Sequence, residues 1–234
     1  DITLRALKAL EEVDLIAAED TRHSRKLLNH FGLSTPLTSY YREKEMEKAG
    51  QLIQQIKDGK NVGLISDAGT PGISDPGAVL VQKAHEEGVT VIPLPGPSAA
   101  ITAMSASGYT GDGFLYVGFL PTKKGQRQKL LQSLSSCAYP VIFYESPRRI
   151  EGLLAQLLEL FGDRHALWGR EITKSYEDLR SAKLSELVNQ TQKQPIKGEF
   201  VLIIHPGEKE EVQGETLEEL LLWYRDNSDL SLKD

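Results

Sequence analysis

The sequence predicts an α/β protein of two domains, and three observations support this fold class. Segments typical of strands and of helices alternate through most of the 234 residues, which indicates βαβ units. Two loops rich in glycine and proline follow predicted strands, where open α/β sheets bind ligands. Between 109 and 113, Gly, Thr and Asp interrupt the apolar pattern, and this break indicates a domain junction.

The junction divides the chain into an N-terminal α/β domain over 1–110 and a second α/β domain over 113–207. A linker and a helical segment follow over 208–234. We expect largely parallel strand pairing in the first domain. Since a helical pattern starts almost directly after Asp1 and no Met precedes it, we expect the natural N-terminus to lie outside the given sequence. The C-terminal segment is expected to continue beyond the given sequence as well.

The composition is typical of an ordinary globular protein, with 40% hydrophobic and 26% charged residues. The single cysteine, Cys137, excludes an internal disulfide framework and fits a reducing compartment, so we expect a cytoplasmic protein. No apolar run reaches the roughly 20 residues that span a bilayer, so no membrane partner is expected. The net charge of −6 argues weakly against general nucleic-acid binding.

Basic residues nevertheless cluster at three places along this acidic chain. Each cluster is compatible with a solvated helix face or with contacts to nucleic-acid phosphates. The clusters are Arg22, Arg25 and Lys26; Lys123, Lys124, Arg127 and Lys129; and Arg148 with Arg149.

Apolar periodicity and helix-stop glycines place the elements of the first domain. Helices are predicted over 3–13, 21–31 and 42–57, and strands over 14–18, 61–66 and 89–94. A further helix should begin with Asp75 as its N-cap and Pro76 at the first helical position, and should end near Glu87. The Ala- and Ser-rich segment Ala99–Gly108 predicts a helix packed closely against a sheet or a ligand, or alternatively a well-packed interior helix.

The second domain is predicted from the same signals. Strands are expected over 114–120, 140–144, 165–172 and 200–205, and helices over 126–135, 147–161 and 184–190. Ser146 and Pro147 repeat the combination of a cap and a proline that opens a helix. An acidic linker over 207–214 and a last helix over 216–226 complete the chain.

The loop over 64–77, Leu-Ile-Ser-Asp-Ala-Gly-Thr-Pro-Gly-Ile-Ser-Asp-Pro-Gly, is the most informative segment. Its glycines let the backbone approach a ligand, and its prolines fix the shape. It has neither GxGxxG nor Walker A spacing. The second loop, Pro93–Ala100, should lie at the same sheet edge if the preceding strands pair in parallel. Neither loop carries the basic residue of a phosphate cradle, which favours a ligand held by backbone groups, such as an adenosine or amino-acid group.

Asp67 and Asp75 admit several functions. Together they could serve metal-assisted hydrolysis, but Asp75 is better explained as a helix cap. Asp67 ends a strand beside flexible backbone, and it is either a site residue or a turn stabiliser. The spacings GxSxG, HExxH, CxxC and EF-hand are absent, and the five histidines are scattered singly. The sequence therefore predicts no metal centre.

Several long segments match one known family. They are Asp67–Gly77 and Pro93–Ala99, with 17–22, 118–121, 143–149, 170–174 and 197–201. These segments resemble the tetrapyrrole methylase superfamily and, within it, the ribosomal RNA small-subunit methyltransferase I group. The resemblance covers nearly the whole chain. The family normally opens with a strand and a Pro-Ile-Gly-Asn type loop, which precede the part of the pattern that this sequence contains.

This resemblance implies S-adenosylmethionine-dependent 2′-O-methylation of a cytidine ribose in the decoding region of small-subunit (16S) ribosomal RNA. It also implies a cytoplasmic homodimer, with the cofactor in the cleft between two α/β domains and the small ribosomal subunit as partner. The rival interpretations are methylation of a tetrapyrrole or a protein side chain, a non-catalytic module that binds S-adenosylmethionine, and a metal phosphoesterase that uses Asp67 and Asp75.

The cofactor residues follow from the same resemblance, whereas the candidate bases follow from the chemistry of the reaction and the candidate RNA contacts from the clustering of basic residues. The cofactor residues would be Asp67, Ala68, Gly69, Pro71, Gly72, Ile73, Ser98 and Ala99 from the first domain, and Tyr144 and Phe200 from the second. A ribose hydroxyl is a poor nucleophile, so a general base would help, and the candidates are Asp67, Glu171 and Lys174. Asp67 could instead serve the cofactor, and Glu171 and Lys174 could form a structural pair. The candidates for RNA phosphate contacts are Arg22, Arg25, Lys123, Lys124, Arg127 and Arg148.

Overall fold

The computed structural model describes residues 1–191 and 197–207, which form two β-sheets with flanking helices. The strands are β1 (Leu15–Ala18), β2 (Leu37–Ser39), β3 (Val62–Ile65), β4 (Leu115–Phe119), β5 (Val141–Glu145), β6 (His165–Arg170), β7 (Asp178–Lys183) and β8 (Phe200–Ile204). The helices are α1 (Leu4–Glu12), α2 (Thr21–His30), α3 (Glu45–Lys57), α4 (Ala78–Glu86), α5 (Ala99–Ser105), α6 (Lys124–Leu134), α7 (Ile150–Phe161) and α8 (Leu184–Thr191). The predicted α/β class is confirmed.

The first sheet has the order β2-β1-β3, and its pairing is parallel, as predicted. Ile16, Ala17 and Ala18 of the central strand have no exposed surface, as expected for a strand covered on both faces of a parallel sheet. Helices α1 and α2, which precede and follow this strand in the chain, are capped by the side chains of Thr3 and Asp20. The two side chains accept hydrogen bonds from N–H groups of the first helical turn.

Two predictions for the first domain are wrong in detail, and one strand was not predicted at all. Strand β2 escapes the sequence analysis because three residues are too few for a periodic signal. The helix predicted over 42–57 is a 3₁₀ turn at Arg42–Lys44 followed by α3. The segment 89–94 pairs with no other strand in the described part of the chain. Its valines, Val89 and Val91, still pack against the core, so their apolar pattern reflects burial rather than strand pairing.

The prediction that Asp75 caps α4 is also wrong. The helix begins at Ala78, and its N-cap is Gly77 with a φ of 146° and no side-chain hydrogen bond. The chain cannot start the helix earlier because it first closes a loop in which the Gly72 N–H donates to the Pro76 carbonyl oxygen. Asp75 therefore lies in the loop, and its carboxylate is left for other contacts.

Ser146 likewise does not cap the helix that follows it. The N–H groups of Arg149 and Ile150 donate to the Ser146 carbonyl oxygen, and α7 begins at Ile150. The Ser146 hydroxyl and N–H both donate to the Glu145 carboxylate, at 3.2 and 2.7 Å. Since its side chain is engaged with Glu145, Ser146 forms a turn and not a cap.

The second sheet has the order β4-β5-β8-β6-β7 and is mixed. Among the described pairs of this second sheet, only β4–β5 is parallel. The sequence analysis missed β7, whose residues are mostly charged or polar because it is an edge strand with few buried positions. One face of the sheet packs against α6, α7 and α8 in an apolar core that contains Phe143, Leu154 and Leu202.

Helix α5 covers the other face of the second sheet, although it precedes the predicted domain junction. Its buried Ala100 and Ala103 pack against Ile142, Val201 and Ile203. Alanine side chains let the helix axis approach the strands closely, as the Ala-rich sequence predicts. The helix that follows the second glycine-proline loop is thus seated on the second sheet, which ties the two halves of the chain together.

Among the described residues, none of the helices is both long and apolar enough to cross a membrane. The predicted linker after 207 and the helix predicted over 216–226 lie outside the described residues.

Candidate functional site

The loop after β3 is held closed by its own backbone. Gly72 and Gly77 both have positive φ, 80° and 146°. A Cβ at Gly77 would lie 2.9 Å from the backbone nitrogen of Gly72, a distance that real side chains do not reach. Glycine is therefore required where the loop closes on itself, while the stretch Asp67–Gly69 at its front stays exposed.

The two glycine-proline loops lie against each other, although the segment 89–94 before the second loop pairs with no other described strand. The Thr70 hydroxyl donates to the Pro97 carbonyl oxygen at 3.1 Å. A Cβ at Gly96 would meet the same hydroxyl oxygen at 3.7 Å. Ser98 then caps α5, which begins at Ala99. The first loop and the start of α5 thus form one continuous surface.

Tyr144 brings the second sheet to this surface. Its hydroxyl accepts a hydrogen bond from the N–H of Ala100, at 3.0 Å. Its ring packs edge-on against Tyr116 and Phe119, with centroids 5.4 and 5.5 Å away. Burial, with a smaller contribution from Tyr116, raises the pKa of Tyr144 to about 12. The structure therefore brings together three predicted cofactor residues, Ser98, Ala99 and Tyr144.

A second bridge joins the loop after β3 to the second sheet. The Ser74 and Tyr116 hydroxyls share a hydrogen bond of 2.6 Å. Ser74 has a positive φ of 67°, and its carbonyl oxygen accepts from the Arg42 guanidinium at 2.9 Å. The loop is thus fixed from both sides, which pre-organises its exposed front for a ligand.

Asp67 lies beside the start of α2. Its Oδ1 atom accepts from the N–H of Asp20 at 3.2 Å. The Asp20 carboxylate in turn pairs with the Arg22 guanidinium at 3.1 Å, and hydrogen bonds from Arg22 lower the pKa of Asp20 to about 2. Arg22, a predicted RNA contact, is therefore paired with Asp20, although most of its side chain is exposed.

Asp75 is the titratable group with the most unusual environment in the loop. Burial is the main reason that its pKa rises to about 6. The charges of Glu19 and Asp67 raise it further, and Arg42 opposes them. The sequence analysis considered Asp67 and Asp75 as a pair but preferred Asp75 as a cap, and it did not place Glu19 beside them. Glu19 lies in the segment 17–22 that carries the family resemblance, so a signal was present.

Glu45 of α3 holds the end of the loop through a hydrogen bond to its backbone. Its Oε1 atom accepts from the N–H of Gly77 at 2.7 Å. Next to it, burial and then the Glu45 charge raise the pKa of the fully buried Tyr40 hydroxyl above its ordinary range. Glu45 lies on α3, 32 residues before Gly77, and no local pattern links the two. Sequence reasoning could not have found it.

Phe200 does not face the Tyr144 side of the sheet. It is buried against Trp168, with ring centroids 4.5 Å apart, in the core beneath α6, α7 and α8. Its strand neighbour Val201, which pairs with Tyr144, lies on the α5 face. Side chains alternate between the faces of a strand, so Phe200 can reach the α5 side only through its backbone.

Glu171 and Lys174 form a tightly bonded turn after β6. The Lys174 ammonium donates to Glu171 at 3.0 Å and to Glu199 at 2.8 Å. The Glu171 carboxylate also accepts from the Glu199 N–H at 2.9 Å. A Cβ at Gly198 would lie 2.5 Å from the Glu171 Cγ atom. These bonds tie the turn to the start of β8, which supports the structural alternative for this pair.

The remaining predicted RNA contacts lie at the surface. Lys123 and Lys124 are exposed where α6 begins, and Arg25 and Arg148 are exposed as well. Arg127 is partly buried, and its Nε atom has no hydrogen-bond partner. The neighbouring Arg149 instead serves the fold, because it pairs with the buried Glu145 at 3.0 Å.

No group of three or more His, Cys, Asp or Glu side chains within residues 1–191 and 197–207 is arranged to hold a metal ion.

The fold and the joined loops match one protein family. Residues 1–188 fit the model of the tetrapyrrole (corrin/porphyrin) methylases. The chain therefore belongs to the tetrapyrrole methylase family, as the sequence segments predict.

Curated relatives narrow the comparison within this family. The chain is 45% identical to "Ribosomal RNA small subunit methyltransferase I" of Halalkalibacterium halodurans, over 93% of this chain and 76% of that protein. Proteins of the same name are 43% identical in Escherichia coli O157:H7 (95% of this chain, 79% of that protein) and 41% identical in Bacillus subtilis (92% and 74%). The predicted resemblance to this group is confirmed.

Solved structures share the fold. Diphthine synthase superposes with a TM-score of 0.69 at 17% identity, covering 88% of this chain and 84% of that one. The methyltransferase CobJ gives 0.65 at 20% identity, covering 88% of each chain. At these identities the likeness concerns the fold, and it confirms the predicted architecture of the tetrapyrrole methylase type.

Proposed function

We propose that this chain is an S-adenosylmethionine-dependent methyltransferase that methylates the 2′-hydroxyl of a cytidine in small-subunit (16S) ribosomal RNA. The observation that carries the proposal is the similarity, above 40% identity over more than nine-tenths of the chain, to proteins named ribosomal RNA small subunit methyltransferase I. The joined loops and Tyr144 beside them form the surface to which we assign the cofactor.

The residues around the loops fit such a cofactor. S-adenosylmethionine carries a positively charged sulfur and an amino-acid group. The exposed front Asp67–Gly69 offers backbone groups, and the carboxylates of Asp67, Asp75 and Glu19 make this region attractive to a cation. Ala68, Gly69, Pro71, Gly72, Ile73, Ser98, Ala99 and Tyr144 are the residues that we propose to hold it. Phe200 would take part only through its backbone.

When bound, the cofactor supplies an electrophilic methyl group. The chain must orient the ribose hydroxyl in line with this methyl carbon, exclude competing water, and accept the hydroxyl proton. Of the three candidate bases, Glu171 and Lys174 are bonded to each other and to Glu199. Asp67 is exposed and has one carboxylate oxygen beyond the Oδ1 that Asp20 occupies. We therefore propose Asp67 as the general base.

RNA binding and assembly complete the proposal. The exposed Arg25, Lys123, Lys124 and Arg148 would contact phosphates, joined by Arg22 and Arg127 once their local geometry adjusts. Phosphate contacts position the protein, and the shape of the RNA and the ribosome supplies selectivity. We further propose that the protein acts in the cytoplasm as a homodimer on the small ribosomal subunit.

The test is methyl transfer from labelled S-adenosylmethionine to small ribosomal subunits from a strain that lacks the relatives' enzyme. We expect label in the ribosomal RNA and a modified cytidine ribose when the site is mapped. Subunits from a strain that retains the enzyme are the matched control, because their acceptor site is already methylated. Absence of incorporation into the unmodified subunits, with cofactor binding intact, would contradict the proposal.

A further inference from the structure

Phe119 is an exposed aromatic residue at the end of β4. Its side chain is 56% exposed, and it lies directly opposite Tyr144 in the β4–β5 pair. The two rings meet edge to face with centroids 5.5 Å apart. An exposed phenyl ring therefore stands next to the tyrosine that contacts the start of α5.

A β-bulge directs Phe119 to this position. The register of β4 on β5 shifts between Tyr116 and Gly118. Residues three positions apart lie on opposite faces of a regular strand, yet Tyr116 and Phe119 both pack against Tyr144. Gly118 makes the shift possible, because its φ is 70° and a Cβ there would lie 2.6 Å from the Ser74 hydroxyl. Without the bulge, Phe119 would turn towards the opposite core.

Tyr116, Tyr144 and Phe119 differ in whether their side chains are already engaged within the protein. The Tyr116 hydroxyl is bonded to Ser74, and the Tyr144 hydroxyl is bonded to the Ala100 N–H. Both tyrosines therefore serve to hold loops in place. Phe119 has no polar atom to anchor, and more than half of its side chain faces solvent.

Basic residues follow Phe119 closely in the chain. Lys123 and Lys124 are exposed at the start of α6, four and five positions after it. An exposed ring followed by cations is the combination with which proteins hold single-stranded nucleic acid, since bases stack on the ring while the cations meet the phosphates.

We propose that Phe119 is a stacking platform for an unpaired base of the RNA substrate, close to the ribose that receives the methyl group. The proposal rests on the proposed function and adds a positioning residue to it. Every base has a π face, so this contact tolerates any base and fixes where the strand lies. The adenine of the proposed cofactor is the other base that could stack on this ring, and the experiment distinguishes the two.

The experiment compares Phe119→Ala, Phe119→Leu and Phe119→Trp with the wild type. Binding to unmethylated small subunits is measured at several salt concentrations, and S-adenosylmethionine binding is measured by calorimetry. We expect Phe119→Ala and Phe119→Leu to weaken subunit binding about tenfold or more, and Phe119→Trp to retain it. The affinity for S-adenosylmethionine should not change in any of the three.

The salt dependence distinguishes stacking from charge. Phe119→Ala should leave the slope of log K against log salt unchanged, because no phosphate contact is lost. The double variant Lys123→Ala/Lys124→Ala should reduce the slope by about one for each contact removed.

Tyr139→Ala is the matched control for loss of an exposed ring. Tyr139 is 52% exposed and precedes β5 at the end opposite Tyr144, so its loss should leave subunit binding unchanged.

Two results would overturn the stacking contact. Wild-type subunit affinity in Phe119→Leu would show that any apolar side chain suffices. Weakened S-adenosylmethionine binding with unchanged subunit binding would assign the ring to the cofactor. Failure of the proposed function is recognised separately, because the wild-type protein would then transfer no methyl group to the subunits.

Discussion

The Tyr144 hydroxyl accepts a hydrogen bond of 3.0 Å from the backbone N–H of Ala100. This bond joins the second sheet to the first turn of α5, whose N–H groups have no partners within the helix. Because α5 directly follows the loop that Thr70 contacts, Tyr144 holds the second loop in place as well as lining the surface beside it.

Tyr144→Phe should therefore affect both stability and ligand binding. We expect a loss of about 1 kcal/mol in the free energy of unfolding, since a partly buried N–H loses its acceptor, and a weaker affinity for S-adenosylmethionine. Denaturant unfolding and calorimetry measure the two effects. Tyr139→Phe is the control, because it removes a hydroxyl from an exposed ring. Unfolding and binding curves identical to the wild type would refute the role of the Ala100 contact.

Gly77→Ala should strain the loop. Its φ of 146° disfavours any residue with a Cβ, and that atom would lie 2.9 Å from the Gly72 nitrogen. We expect destabilisation of about 2–4 kcal/mol and weaker cofactor binding. Gly88→Ala is the matched control: its φ is also positive, 67°, but a Cβ there meets open space, so we expect about 1 kcal/mol and normal binding. Equal effects of the two changes would show that loop closure is unimportant.

Asp75 should make stability depend on pH. Its folded pKa of about 6 lies above the ordinary value of 3.8, so the folded state binds the proton more tightly than the unfolded chain does. The resulting stabilisation is complete below pH 3.8 and is lost as the pH rises through 6.

Asp75→Asn removes this titration. As the pH rises from 4 to 7.5, the free energy of unfolding of the variant should increase by about 1–2 kcal/mol relative to that of the wild type. This value allows for the solvent that screens a half-buried group. The free energy of unfolding of both proteins across this pH range is the measurement, with the low-pH difference as the internal reference. Parallel pH profiles would show that Asp75 titrates normally.

Glu171 and Lys174 should contribute to the fold more than to catalysis. Glu171→Ala removes the acceptor of the Glu199 N–H, and we expect a loss of about 1–2 kcal/mol in unfolding free energy. Lys174→Ala should cost less than about 1 kcal/mol, because its ammonium is half exposed. The rate of methyl transfer at saturating substrates should stay within a few-fold of the wild type. A large rate loss with unchanged stability would instead make this pair catalytic.

Asp67→Asn tests the proposed general base. Loss of a base lowers a rate by roughly 10²–10⁴-fold, so we expect kcat to fall at least about a hundredfold while the dissociation constant for S-adenosylmethionine stays within a few-fold. Single-turnover methyl transfer and calorimetry provide the two numbers. If cofactor binding is lost in proportion to the rate, Asp67 serves the cofactor, which is the alternative that the sequence left open.

The parts that sequence reasoning predicted well share a local cause. The helix that begins after Thr3 and the glycine stop at Gly32 depend on neighbours within one turn, and both are observed. The errors of sequence reasoning concern residues whose hydrogen-bond partners or neighbours lie outside the local turn. Asp75 has the local pattern of a cap, but a bond across the loop from Gly72 to Pro76 moves the helix start to Ala78.

Strand pairing is the other property that the local pattern does not contain. The alternation at Val89–Leu94 is as strand-like as that of 61–66, yet only the latter finds a neighbour in the described sheet. Edge strand β7 has too few buried residues to be recognised, although it pairs with β6 over its whole length. Whether a segment forms a strand depends on whether another strand lies next to it in the folded chain. The alternation of apolar and polar residues indicates only which side chains are buried.

The sequence by itself determined the α/β class, the family and the glycine-proline loop that carries the candidate site, because these depend on residue type and spacing along the chain. Only the tertiary structure decided how the site is assembled. In the folded chain, the Phe200 side chain is buried against Trp168, and Asp75 lies near the carboxylates of Glu19 and Asp67. The Tyr144 hydroxyl is hydrogen-bonded to the Ala100 N–H. The physical reason is that burial, charge environment and hydrogen-bond partners arise from residues far apart in the chain, which meet only when the sheets and helices pack.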